Sequence, residues 1–174
     1  MNGNIKFLKD LQAELNNQDT DVQASPRFWT VGDYRWVETL EGNAEQYSVY
    51  LPCCGESSEI KAFIESLDRD DLEKDALEAL EEVDLEDEHS IFDWIKEHYD
   101  DDAIFIPEKK EHFIRQNTMF LTKQEAKDHI ESNHYHYTKE AHTYAMTAWR
   151  APKVERLFKI LSEFDFEMFS ESNE

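Results

Sequence analysis

The segment from Phe120 to Leu161 carries the densest local signals in the chain, and it constrains the fold more than any other stretch. Thr122 and Glu125 stand three residues apart ahead of a helical run, the spacing of a capping box. This pair predicts a helix over Lys123–Ser132. Pro152 suits the first turn of a second helix. The apolar residues of that second helix recur at the spacing of one buried face: Val154, Leu157, Phe158 and Leu161.

Two strands are expected beside these helices. Thr143–Trp149 lies between the helices and places Tyr144 and Met146 on one side, as in a strand. A second strand, Thr118–Leu121, precedes the capped helix. The resulting order of strand, helix, strand and helix predicts a right-handed crossover, with the two strands parallel in one sheet.

The N-terminal part predicts a short amphipathic helix over Ile5–Leu15, followed by strands. Aromatic and β-branched residues surround a Gly32-Asp33 dipeptide, a pattern that favours a hairpin within residues 26–40. Further strands are expected over Gln46–Leu51 and Ala103–Ile106. We therefore predict an α+β fold in one domain, residues 1–174. Its small sheet has an N-terminal hairpin and a C-terminal β-α-β-α unit, and residues 56–102 form an acidic helical insertion.

The acidic segment, residues 56–102, holds most of the negative charge of the chain. It contains 20 aspartates and glutamates against four basic residues, a net charge of −16 out of −22 for the whole protein. Apolar residues at helical spacing predict three helices within it. Such charge disfavours nucleic acid and anionic lipid as direct partners and favours a basic protein surface.

The density of this charge resembles that of a nucleic acid. If its 47 residues were all helical, they would rise about 70 Å, or about 3.5 Å per acidic residue. One DNA strand carries a phosphate every ~3.4 Å. The segment can therefore compete for a basic groove that normally takes a nucleic acid. The alternative is a solvated acidic face that keeps the protein soluble. The exposed carboxylates expected to contact the partner are Asp70, Asp71, Glu78, Glu81, Glu82, Asp100 and Asp101.

Histidines in the C-terminal third leave a second interpretation open. His134 and His136 would project from one face of a strand, and with His142 they are the candidate ligands of a transition metal. Neither an HExxH motif nor a distant CxxC completes such a site, so half-buried structural rings are the simpler interpretation. The two cysteines, Cys53 and Cys54, are adjacent in sequence, and no second pair exists to complete a zinc site.

Several stretches resemble a group of uncharacterised proteins encoded by bacteriophages and prophages. The resemblance covers both ends of the chain: ASPRFW at Ala24–Trp29, then FLTKQEAKDHI, NHYHY, AHTYAMTAWR and the helix from Pro152 to Leu161. The group has Asp before the proline of the first motif, where this chain has Ser25. The resemblance implies a phage-derived gene acting in the bacterial cytoplasm, where small acidic proteins block restriction enzymes and CRISPR nucleases. It implies no catalytic residue.

These observations combine into one hypothesis and one alternative. We expect a non-enzymatic inhibitor or adaptor without a cofactor, which mimics the charge of a nucleic acid and binds a basic host protein, as an anti-CRISPR or anti-restriction protein does. The alternative is a metal-binding module or a metal-dependent enzyme that uses the C-terminal histidines. No apolar run approaches the ~20 residues of a membrane span and no signal peptide is visible, so we expect a cytoplasmic protein.

Overall fold

A computed structural model describes residues 3–19 and 25–166. Ala24, the first residue of the ASPRFW motif, lies outside the described residues. The chain divides into two units: Met1–Tyr34 with His112–Glu174, and Arg35–Glu111. The second unit contains the whole acidic segment, residues 56–102.

The described residues form an α+β fold with one small sheet, which confirms the predicted class. The strands are β1 Arg27–Glu38, β2 Gln46–Leu51, β3 Glu56–Glu59, β4 Ile104–Ile114 and β5 His142–Thr147. The α-helices are α1 Gly3–Asn17, α2 Ile60–Ser66, α3 Lys74–Leu80, α4 Glu88–His98, α5 Lys123–Ser132 and α6 Pro152–Glu163. The strand order is β3-β2-β4-β1-β5. β2 runs antiparallel to β3 and β4, and β5 runs antiparallel to β1.

Local signals placed most of the helices correctly. α5 begins and ends as predicted, and the Thr122 hydroxyl accepts a hydrogen bond from the Glu125 amide at 3.2 Å. The Glu125 carboxylate reaches back to the Leu121 amide at 3.3 Å, one residue earlier than in the usual box. α6 begins at Pro152, and the acidic segment contains the three expected helices. Strand β2 also has its predicted bounds.

The predicted hairpin around Gly32-Asp33 is wrong. β1 runs without interruption through both residues, and Asp33 is fully buried rather than at a turn. The expected strand Ala103–Ile106 is the beginning of the longer β4, which continues through Pro107. Residues 118–121 form only one isolated bridge, between Phe120 and Trp29.

The predicted parallel crossover is also wrong. β5 pairs with β1, with Arg27 opposite Thr147 and Gly32 opposite His142, and the pairing is antiparallel. α6 instead contacts α1. There the Gln12 amide donates to the carbonyl oxygens of Leu161 and Phe164 at 2.9 and 2.8 Å, which satisfies carbonyls that the end of a helix leaves unpaired.

Candidate functional site

The acidic segment contains three helices, α2, α3 and α4, which share a hydrophobic core in the second unit. Trp94 on α4 is buried, and its indole Nε1 donates to the Ala76 carbonyl oxygen on α3 at 3.0 Å. Because the apolar faces of the helices are buried, their remaining positions point away from this core. The buried residues of the cluster are Val49, Leu51, Ile60, Phe63, Ile64, Ala76, Leu80, Ile91, Trp94, Ile95 and Ala103.

Six of the seven carboxylates expected to bind a partner are exposed: Asp70, Asp71, Glu78, Glu81, Glu82 and Asp101. Glu78 forms an ion pair with Lys74 at 3.3 Å, one helical turn away. Both of these side chains are exposed, and such surface pairs contribute little stability. The pair can therefore exchange for contacts to another molecule at low cost.

Asp100 differs from the expectation of an exposed carboxylate, because it is buried. Its Oδ2 accepts from the Cys53 amide at 3.1 Å and its Oδ1 accepts from the Asp102 amide at 3.0 Å. A further hydrogen bond between the Cys53 thiol and the Asp100 carboxylate raises the pKa of Cys53 to about 11 and lowers the pKa of Asp100. Asp100 thus holds the turn before β4, and its oxygens are already occupied.

Some of the other acids cap the helices that follow them. The Glu59 carboxylate accepts from the amides of Lys61 and Ala62 at 3.0 and 2.7 Å and caps α2. Asp87 caps α4 by accepting from the His89 amide at 3.1 Å. A negative side chain at a helix N-terminus also interacts favourably with the helix dipole. Part of the acidity is therefore explained by the local structure.

Internal neutralisation of the segment is limited. The Lys61 ammonium lies 3.1 Å from Glu88 and 3.7 Å from Glu86. The hydrogen bond to Glu88 raises the pKa of Lys61. The Glu88 carboxylate accepts hydrogen bonds from its own backbone amide and from Lys61, and these bonds lower the pKa of Glu88. With four basic residues for 20 acidic ones, most of the carboxylates have no cationic partner within the segment.

One acidic cluster has the spacing of a cation site. Asp100, Asp101 and Asp102 each place a carboxylate oxygen within 4.8 Å of the others, and no other group of three or more such ligands occurs within residues 3–19 and 25–166. Two of the three side chains are exposed, and both oxygens of Asp100 accept backbone hydrogen bonds. Because the Asp100 oxygens already accept these hydrogen bonds, we interpret the cluster as stabilising the turn rather than binding a cation.

The three histidines of the alternative hypothesis do not meet. His134 and His136 lie in a 3-10 turn rather than a strand, so they do not share a strand face. His134 Nδ1 lies 3.1 Å from the Glu131 carbonyl oxygen, and the His136 ring packs on Tyr135 with centroids 4.2 Å apart. His142 lies elsewhere, on β5. The predicted ligand set is therefore not assembled.

His142 instead joins an aromatic cluster that the sequence interpretation missed. Its ring lies 5.2 Å from that of His112, with the planes at 29°. Tyr34 lies 5.3 Å from His112 and 5.9 Å from His142, and Tyr144 lies 5.2 Å from His112. The two histidine rings lie over Gly32. A glycine inside a strand often marks a close approach of this kind, and it was the signal available in the sequence.

Asp33 forms a second arrangement that the sequence interpretation missed. It is fully buried and accepts from Nε and Nη2 of Arg115 at 2.9 and 2.5 Å and from the Thr138 hydroxyl at 2.5 Å. Burial alone would raise the pKa of Asp33, but the hydrogen bonds from Thr138, Arg115 and backbone amides lower it below its usual value. Asp33 is therefore a buried, charged residue with its hydrogen bonds satisfied.

Comparison of the chain with protein-family models, with curated proteins and with solved structures gave no significant match. Among the described helices, none has both the length and the apolar character needed to cross a membrane.

Proposed function

We propose that the protein binds a basic, nucleic-acid-handling host protein through the exposed carboxylates of its acidic segment, and so acts as a non-enzymatic inhibitor or adaptor. The observation that supports this most directly is the exposure of Asp70, Asp71, Glu78, Glu81 and Glu82 on a unit with a packed core. Fixed carboxylates lose less conformational entropy on binding than a disordered acidic tail does.

The charge balance supports a protein partner rather than a nucleic acid. A net charge of −22 repels phosphate backbones but attracts a groove lined with arginine and lysine. Asp100 is excluded from the contact set because it is buried, which leaves six exposed carboxylates. The partner class that fits this surface is a defence nuclease, either a restriction enzyme or a CRISPR effector.

Charge reversal on α3 and the turn that follows it tests the proposal. The variant combines Glu78→Lys, Glu81→Lys and Glu82→Lys, three exposed positions whose substitution leaves the core intact. At roughly 0.5–1 kcal/mol for each surface charge, we expect binding to weaken by about tenfold or more. The control combines Glu14→Lys, Glu131→Lys and Glu163→Lys, which change the net charge equally from exposed positions in the first unit.

The assay begins with affinity capture from the bacterial host and identification of the partner by mass spectrometry. Fluorescence anisotropy then measures the binding of the purified partner to its guide RNA or duplex DNA as this protein is added. We expect displacement that weakens with rising salt, because salt screens exposed charges. The proposal is wrong if the partner retains its nucleic acid, or if the α3 variant and the control bind equally well.

A further inference from the structure

The side chains of His112 and His142 converge on a single point above Gly32. A Cβ atom on Gly32 would lie 2.7 Å from His112 Nε2 and 2.8 Å from His142 Nε2, so these nitrogens are at most 5.5 Å apart, the sum of the two distances. Glycine is the residue that leaves this space open. Since β1 is otherwise built of larger residues, the two rings depend on this one position to approach each other.

The hydrogen bond of His142 determines which of its ring nitrogens can bind a ligand through a lone pair. Its Nδ1 lies 3.0 Å from the Glu140 carbonyl oxygen, which only accepts, so Nδ1 carries a proton. In the neutral ring, Nε2 then holds the lone pair. Histidines that ligate metals are oriented in the same way, by donating the other ring N–H to a carbonyl or carboxylate.

The distance between the rings suits a shared ligand. Bonds of about 2.0–2.1 Å from imidazole to a transition metal place two ligating nitrogens about 3–4 Å apart. Small side-chain rotations bring the pair within this range, because His112 is exposed and His142 is half-buried. Tyr34 and Tyr144 lie beside the His112 ring, with centroids 5.3 and 5.2 Å from it.

The charge of the protein selects between the two ligand classes that imidazole pairs bind. Phosphate would be held by protonated histidines, but the net charge of −22 repels an anion and raises the local concentration of cations. Neutral imidazole prefers Cu²⁺, Ni²⁺ and Zn²⁺ to magnesium or calcium. We propose that His112 and His142 form a two-histidine site for a divalent transition metal, with water in the remaining positions.

The experiment titrates the full chain, purified without an affinity tag, with Cu²⁺ and separately with Zn²⁺ by calorimetry. We expect about one equivalent to bind, and His112→Gln or His142→Gln to weaken binding roughly tenfold or more. His134→Gln with His136→Gln is the matched control and is expected to leave the affinity unchanged. The control separates a specific site from general binding by histidines.

Electron paramagnetic resonance of the unmodified protein with Cu²⁺ provides a readout that does not depend on how a variant folds. Splitting from two equivalent nitrogens is expected, and it distinguishes the histidine pair from the oxygen ligands of residues 100–102. The proposal is overturned if the unmodified protein binds neither metal, if the copper signal lacks nitrogen splitting, or if a variant lacking both histidines binds as tightly as the unmodified chain.

Discussion

Replacing Asp33 with asparagine removes a buried charge while keeping the shape of the side chain. Asp33 accepts two hydrogen bonds from Arg115, two from Thr138 and one from the Tyr34 amide. Asparagine keeps one acceptor oxygen and turns an NH₂ group toward the donors that the second oxygen served. The Arg115 guanidinium then faces a neutral amide instead of a carboxylate.

The size of the effect follows from these contacts. Hydrogen bonds to charged groups contribute about 1.5–3 kcal/mol each, and breaking a buried ion pair costs about 3–5 kcal/mol. The Arg115 side chain is 33% exposed and regains part of its hydration, which places the expected loss near the lower end. We expect Asp33→Asn to lower the free energy of unfolding by about 3 kcal/mol, a large part of the ~5–15 kcal/mol typical of a domain.

The pH dependence of this loss has a defined sign. The hydrogen bonds lower the pKa of Asp33 below 3.8 in the folded state, although burial opposes them. A carboxyl with a lowered folded pKa stabilises the protein above its unfolded pKa, and this contribution is lost as the pH falls through the folded value. The difference between the unmodified protein and the Asp33→Asn variant should therefore be full at pH 7 and should shrink below about pH 4.

Urea denaturation at pH 7 and at pH 3, followed by circular dichroism and tryptophan fluorescence, measures the loss in the free energy of unfolding and its dependence on pH. Asp10→Asn is the matched control, because Asp10 is exposed on α1 in the same unit and should change stability by less than about 0.5 kcal/mol. If Asp33→Asn is as stable as the control at pH 7, Asp33 does not carry the buried charge described above.

Three further substitutions test separate contacts. Trp94→Phe removes the indole hydrogen bond to the Ala76 carbonyl and leaves a smaller ring in the core of the second unit, and urea denaturation should show a loss of about 1–3 kcal/mol. Thr122→Ala removes the cap of α5 and should cost about 1 kcal/mol, seen as a lower thermal midpoint. The reactivity of Cys53 is measured with iodoacetamide at pH 8, after the neighbouring Cys54 has been replaced. Alkylation of Cys53 should be roughly tenfold or more slower than that of free cysteine, because the pKa of Cys53 is raised to about 11. Asp100→Asn should accelerate it, and an unchanged rate would contradict the assigned hydrogen bond.

The sequence predicted elements whose determinants are local and failed where they are distant. The bounds of α5 depend on Thr122 and on a few residues after it, so they were correct. Asp33 appeared to be a turn residue because its charge is incompatible with a buried strand unless a cation compensates it. That cation, Arg115, lies 82 positions further along the chain, and no local pattern connects the two.

In the candidate sites, too, the features that depend on local sequence were predicted and those that depend on distant residues were not. Periodicity correctly predicted three helices in the acidic segment, but of the seven expected contact residues only Glu78 lies on an α-helix. It also did not identify Asp100 as buried, since that depends on the Cys53 amide 47 residues away. The pairing of His112 with His142 depends on strand neighbours and on the open space at Gly32. Alternation within one strand favoured His134 and His136 instead, which lie in a 3-10 turn.

The division of the chain sets an order of events during synthesis. The first unit is built from both Met1–Tyr34 and His112–Glu174, whereas the second is one continuous stretch, Arg35–Glu111. At about 5–20 residues per second, a ribosome needs several seconds after completing the second unit to reach α6. The acidic helices therefore have all their core partners early, while α1 waits for α6 and β1 waits for β5, the later of its two neighbouring strands.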